Sequence, residues 1–115
     1  MQLTRIYADA AGESHFETVD IALEAKGIVG DLSEPMPADS VIFRENEPGY
    51  DWDFHHAPAR QLIILLDGAI EIEVSDGEKR SFSGGDVLLV EDTWGKGHRT
   101  KNTLPIRRRS IFIRL

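Results

Sequence analysis

Short apolar runs separated by Gly, Pro, Asn and Asp recur from one end of this chain to the other, and the 3.6-residue spacing of an amphipathic helix is nearly absent. The clearest run is Ile70-Glu71-Ile72-Glu73-Val74. Its strict alternation predicts a strand with three apolar side chains on one face and two carboxylates on the other, wet, face. Ser75-Asp76-Gly77 ends it, and Asp-Gly is the signal of a two-residue type I′ turn, whose central residues need positive φ. The chain would then return along a strand from Lys79 to Phe82. Val19, Ile21 and Leu23 alternate with polar residues in the same way, and Val41 to Arg44, Gln61 to Leu66, Val87 to Val90 and Ile106 to Leu115 read as further strands. Gly27 and Gly30 limit segment 24–30 to a helical turn. So many short strands divided by turn residues predict an all-β sandwich or barrel.

One strand differs from the rest. Leu62, Ile64 and Leu66 face one way and Ile63 and Leu65 the other, so both of its faces need cover. In so short a chain the second cover is either the N-terminal segment or another subunit, and a homodimer is expected.

At 115 residues the chain has the length of one domain with one core. A formal charge of -7 disfavours nucleic acid and anionic membrane as partners, because both attract clustered Lys and Arg. The absence of cysteine excludes disulfides, thiolate metal sites and a cysteine nucleophile. With no apolar segment of spanning length and no leader-like N-terminus, a cytoplasmic protein is expected.

The segment from Gly49 to Asn102 carries spacings that resemble the two motifs of the cupin superfamily. Gly49, His55, Gln61 and Gly68 hold the frame of the first, with Ala57 where its second His belongs and Gln61 where its Glu belongs. Gly85, His98 and Asn102 hold the frame of the second, with Glu91 in place of its Pro and a Gly-to-His interval two residues longer than the family's. The closer likeness is to small single-domain cupins with His-x-Ala-Pro-x-x-Gln in the first motif and, in the second, the pattern seen here as Glu91-Asp92-Thr93-Trp94-Gly95-Lys96-Gly97-His98. The resemblance implies one domain over residues 1–115, with N-terminal strands and a loop in 1–40 and both motifs within 49–102. Its fold would be a cupin barrel, a jelly-roll-like double-stranded β-helix whose mouth holds a small ligand. In the typical cupin three imidazoles and one carboxylate hold a divalent metal. Carried over residue by residue, that set leaves His55, His98 and the amide oxygen of Gln61, implying at most a weak Zn, Ni, Mn or Fe site.

Two functions stay open on this reading. The first is an enzyme, a lyase or isomerase acting on a small polar or anionic metabolite, with His55 and His98 as acid and base, Glu91 as the nearest carboxylate and Gln61 orienting substrate oxygen. The second is a non-catalytic ligand-binding or sensor domain that has lost a complete metal site. In either, Trp52, Phe54, Arg60 and Asp92 are candidate ligand contacts, while Lys96, Arg99 and Lys101 flank the same region. A conflict of parity stands in the first motif. Tyr50, Trp52, Phe54 and His56 share one face of a regular strand, and Asp51, Asp53, His55 and Ala57 the other. Motif spacing turns His55 inward with Asp51 and Asp53, unless a bulge at His55-His56 brings both imidazoles in. His15 is expected in an exposed loop. Arg107-Arg108-Arg109 is expected as a solvated or subunit-facing row, and Gly95 and Gly97 as a tight bend.

Overall fold

The structure, a computed structural model, describes all 115 residues and is built almost entirely of strands. In chain order these are β1 (Gln2–Ala8), β2 (Ser14–Asp20), β3 (Glu24–Ala25), β4 (Asp31–Leu32), β5 (Ser40–Asn46), β6 (Asp51–His55), β7 (Gln61–Leu65), β8 (Ala69–Val74), β9 (Lys79–Ser83), β10 (Val87–Val90), β11 (His98–Asn102) and β12 (Arg108–Arg114). Their one interruption by helix is the single 3-10 turn Gly27–Val29. A six-stranded sheet in the order β2-β1-β10-β7-β12-β5 faces a four-stranded sheet in the order β6-β11-β8-β9. All pairings are antiparallel except β1 with β10. β1 is a strand that the apolar pattern did not reveal, because Thr4, Arg5 and Tyr7 break up Leu3 and Ile6.

Alternation then decides what each sheet turns inward. Ile70, Ile72 and Val74 of β8 are buried, and they pack with Ile6, Phe16, Leu65, Phe82, Leu88 and Val90 into one core between the sheets. Each such side chain contributes about 1.5–3 kcal/mol through removal from water. Glu71 and Glu73 lie on the outer face, as the pattern predicts.

The turn after β8 departs from expectation. No residue other than glycine has positive φ, so Asp76 cannot occupy a type I′ position. Instead Gly77 N–H donates to Val74 O, Gly77 takes φ 98°, and Val74 N–H donates to Glu78 O. This is a three-residue loop, a turn followed by a left-handed glycine. Asp76 is occupied otherwise, since its Oδ1 accepts from Glu78 N–H and its Oδ2 meets His15 Nδ1 at 2.7 Å. His15 is therefore no loop residue. It lies on β2 between Asp76 and Asp9, whose Oδ2 is 2.7 Å from Nε2.

Gly95 and Gly97 serve close backbone approach more than bending. A methyl group at Gly97 would run into the carbonyl of His55, and one at Gly95 into the carbonyl of Gly12. The loop before β11 can therefore lie directly against the end of β6. Gly97→Ala is expected to destabilise the fold by more than the roughly 1–2 kcal/mol of a left-handed backbone alone. Gly27→Ala, at φ 68° with open space around it, is expected to cost only that backbone penalty. Urea denaturation of the two variants checks the difference, and equal losses would remove the role given to the close approach.

Candidate functional site

A cavity of about 210 Å³ lies between the sheets, lined on one side by β5, β7, β10 and β12 and on the other by β6, β8 and β11. Its wall is mostly apolar, with Ile63, Leu65, Ile70, Ile72, Leu88 and Phe112 among its residues. His55, Gln61, His98 and Trp52 all line it, so the residues of the two motifs do converge.

Asp92 builds the imidazole end. It is fully buried, and its Oδ2 accepts from Ser14 Oγ at 2.9 Å and meets His98 Nδ1 at 2.6 Å. Its backbone carbonyl accepts from Ala57 N–H at 2.9 Å. His98, 6% exposed, is thereby held with Nδ1 toward the carboxylate, and Nε2 is left free of any partner in the chain. Asp92 was expected to touch ligand, but it stands behind His98 and outside the lining.

His55 reaches the cavity through an irregularity. β6 and β11 pair as His98 with His55 and Thr100 with Trp52, so that Arg99 alone on β11 opposes both Asp53 and Phe54 on β6. This extra residue is a β-bulge. It puts Trp52 and His55 on the same side, where their rings stack at 3.6 Å between centroids and 12° between planes. The conflict of parity is resolved between Trp52 and His55, not at His55-His56. His56 stays outside with Nδ1 3.2 Å from Ala57 O, and Asp51 and Asp53 are exposed too, contrary to the parity expected. His55 Nδ1 meets Asp53 O at 2.7 Å, and the ring lies 4.7 Å from that of His98. Burial, and then the nearness of His98, pushes the His55 imidazole below the usual histidine range against the pull of the Asp53 carbonyl.

Three expected site residues lie elsewhere. Glu91 accepts from Arg5 Nε at 2.6 Å and from Arg60 Nε, outside the cavity. Although burial raises its affinity for a proton, hydrogen bonds from Arg60 and Arg5 outweigh that and hold the carboxyl below its usual range. A permanently paired carboxylate makes a poor general acid. Arg60 is committed to the same pair and exposed. Phe54 points to solvent under the guanidinium of Arg99, since the bulge that turns Trp52 and His55 inward leaves it on the far side. Lys96 pairs with Glu13, Arg99 with Asp51 and Lys101 with Glu71, so the flanking cations also turn away.

The cations that do line the cavity are Arg44, Arg108 and Arg114. Arg108, the middle of the expected surface row, is 4% exposed, while Arg107 pairs with Glu45 and Glu47 and Arg109 with Asp67 outside. The period-two parity of β12 held the signal: Arg108, Phe112 and Arg114 share one face. Arg108 donates Nε to Asn102 Oδ1 and Nη2 to Asn46 Oδ1, both at 2.8 Å.

No family model matches the chain, and no curated protein does. Among solved structures, the cupin domain of Schizosaccharomyces pombe Cnp3 superposes with a TM-score of 0.55 at 15% identity, over 87% of this chain and 70% of that one. The chain has the cupin fold. This likeness concerns the fold alone, and the chemistry has to be read from the cavity itself.

Whether this cupin cavity suits a divalent ion is decided by its donors. His55 and His98 offer two imidazole nitrogens and Gln61 a neutral amide oxygen, but Ala57 offers nothing and no Asp or Glu lines the space. No group of three His, Cys, Asp or Glu converges anywhere in the chain. With three guanidiniums in the wall instead of a carboxylate, the residues do not fit a tightly held divalent cation.

The histidines are expected to titrate in a fixed order. Hydrogen bonds from His15 to Asp9 and Asp76 raise its proton affinity above the usual value, whereas burial depresses that of His55. The signs for stability are opposite. The contribution of His15 is complete below about pH 6.5 and is lost as pH rises through its raised pKa. That of His55 is complete above about pH 6.5 and is lost as pH falls through its lowered one. Ring-proton NMR titration checks the order, and a His55 midpoint at or above that of His15 would contradict the burial assigned to it.

Proposed function

We propose that this chain binds a small metabolite in the barrel cavity and moves a proton on it, as a lyase or isomerase does, with His98 as the base. The observation that carries this reading is the buried Asp92–His98 pair. Asp92 fixes the ring orientation and supports the positive charge that develops when Nε2 takes a proton, which is how a carboxylate assists a catalytic imidazole. His55, 4.7 Å away and held neutral by its surroundings, is the natural second group to relay or return that proton. Gln61, 4% exposed with its side chain at the cavity wall, is suited to orient a substrate oxygen.

The reading of a binding domain without catalysis shares the same cavity, and the loss of metal donors at Ala57 and Gln61 favours it over a metal-dependent reaction. Exchange in D2O separates the two. Small hydroxy, keto and amino acids incubated with the protein are followed by proton NMR for loss of a C–H signal next to a carbonyl. At least one is expected to exchange with the native protein and to be slowed about 100-fold by His98→Asn. Saturable binding with no exchange of any acid would leave a binding domain alone.

We also propose that two copies of the chain associate through the outer face of the six-stranded sheet. The registers align two rows of four apolar residues across β5, β12, β7 and β10: Phe43, Ile111, Ile64 and Val87 in one, Val41, Ile113, Leu62 and Leu89 in the other. Phe43 is 79% exposed on the edge strand β5. The segment that leads into β5 exposes Ile28, Val29, Leu32 and Met36 as well. An apolar face that is open at Phe43 and Val41, half-exposed over most of the rest and buried at Leu89, lies next to an exposed apolar arm, and a two-fold axis lets each chain's arm cover the other's face. A dimeric mass by light scattering at micromolar concentration is expected, and Phe43→Glu is expected to yield monomer. A native monomer would overturn the pairing.

A further inference from the structure

The nine arginines of the chain divide into two groups. Arg5, Arg60, Arg80, Arg99, Arg107 and Arg109 each pair with a carboxylate at the surface. Arg44, Arg108 and Arg114 pair with none, and these are the three that line the cavity. In a chain with an excess of seven negative charges, that distribution runs against composition.

The local surroundings sharpen the point. Arg108 is more than nine-tenths buried, its only hydrogen-bond partners are two neutral amide oxygens, and its Nη1 has none. Arg44 donates only to Tyr50 Oη, at 3.3 Å. Both guanidiniums lie over the ring of Tyr50, with Cζ at 5.2 Å for Arg44 and 5.6 Å for Arg108 from its centroid. Two like charges therefore converge on one aromatic ring without an acid between them. Asp67, the nearest acid to act on Arg108, is held by Arg109 on the outer face. Nε of Arg114, on the same wall, is buried with no partner at all. Guanidinium does not shed its proton at physiological pH, so the cavity carries a net positive charge in apolar surroundings. Taking such charges out of water is costly unless something negative accompanies them.

We propose that Arg44 and Arg108 bind the carboxylate of a small organic acid whose apolar body lies along Ile70, Ile72 and Phe112 toward His98. The planar fork of a guanidinium matches a carboxylate in two parallel hydrogen bonds, which favours that group over a point-like anion. β11 sets the geometry, for Asn102, the partner of Arg108, and His98 lie four residues apart on its inner face, about 13 Å along the strand. The acid group is thus anchored at one end of the cavity and the rest of the molecule reaches the imidazoles at the other. A volume of about 210 Å³ lies below the range for drug-sized ligands, which restricts the ligand to a small acid. The inference rests on the ligand cavity proposed above but not on catalysis there.

Calorimetric titration with benzoate, benzamide and inorganic phosphate tests it. Benzoate is expected to bind at least about tenfold more tightly than benzamide, its neutral counterpart of the same shape, and more tightly than phosphate. Arg108→Gln and Arg44→Gln are each expected to weaken benzoate by about tenfold or more and to leave benzamide unchanged. Should Arg108→Gln fail to fold, Arg44→Gln, at a less buried position, carries the comparison alone. Equal binding of benzoate and benzamide, preference for phosphate, or benzoate binding indifferent to both arginines would overturn the proposal. Benzoate binding that depends on the arginines, with no proton exchange on any acid, would sustain it while removing the catalytic role of His98. Exchange on an acid whose binding ignores both arginines would do the reverse.

Discussion

The buried carboxylate of Asp92 is the constraint around which the site is organised. A carboxylate removed from water must be met by donors or it destabilises the fold by several kcal/mol. Ser14 from β2 and His98 from β11 meet it, and the backbone carbonyl of the same residue receives Ala57 N–H from the loop between β6 and β7. One residue thus ties together a strand of each sheet and the first-motif loop. Its second oxygen, Oδ1, has no partner, which leaves His98 and Ser14 to carry the whole interaction. The orientation of His98 follows from this arrangement, while that of His55 is set by stacking on Trp52 and by the Asp53 carbonyl.

The cavity walls answer a different requirement. Strand alternation turns apolar side chains of β8 and β7 inward to make most of the cavity wall, and apolar surroundings strengthen the interactions of a charge placed among them. Arg108 is buried in that wall and Arg44 half-buried beside it, held by Asn46, Asn102 and Tyr50, which orient the guanidiniums without neutralising them. A site that oriented cations with carboxylates would have little attraction left for a ligand. Retaining unpaired charge lowers stability, and the binding role proposed for these arginines would account for that cost.

Much of this was legible in the sequence. The alternation of Ile70 to Val74 gave strand and facing correctly, and the spacing of Gly49, His55, Gln61 and Gly68 led to the cupin fold and to the meeting of His55, Gln61 and His98. What stayed hidden depended on local departures from regularity or on partners distant in sequence. A bulge adds one residue and reverses parity beyond it, so Trp52 and His55 share a side that strict period two denies them, and Asp51 and Asp53 stay out. Glu91 looked available because its captors, Arg5 and Arg60, are brought to it by the β1–β10 pairing and by the loop before β7, neither visible locally. Arg108 was hidden among identical neighbours, and only the inward parity of Phe112 on the same strand distinguishes it from Arg107 and Arg109. The turn at Ser75-Asp76-Gly77 takes three residues instead of two, with positive φ at Gly77 alone and the Asp76 side chain serving Glu78 N–H and His15, a partner remote in sequence.

Asp92 fixes His98 with Nδ1 toward itself and leaves Nε2 without a partner in the chain. Ring nitrogen-15 chemical shifts of His98, read at a pH where the ring is neutral, test this arrangement, with Ser14→Ala and Asp92→Asn as comparison. Nδ1 is expected to carry the proton of the neutral ring and Nε2 to be the bare, pyridine-like nitrogen in the native protein, with that preference lost in Asp92→Asn and kept in Ser14→Ala. A proton on Nε2 with a bare Nδ1 in the native protein, or shifts indifferent to Asp92→Asn, would contradict it.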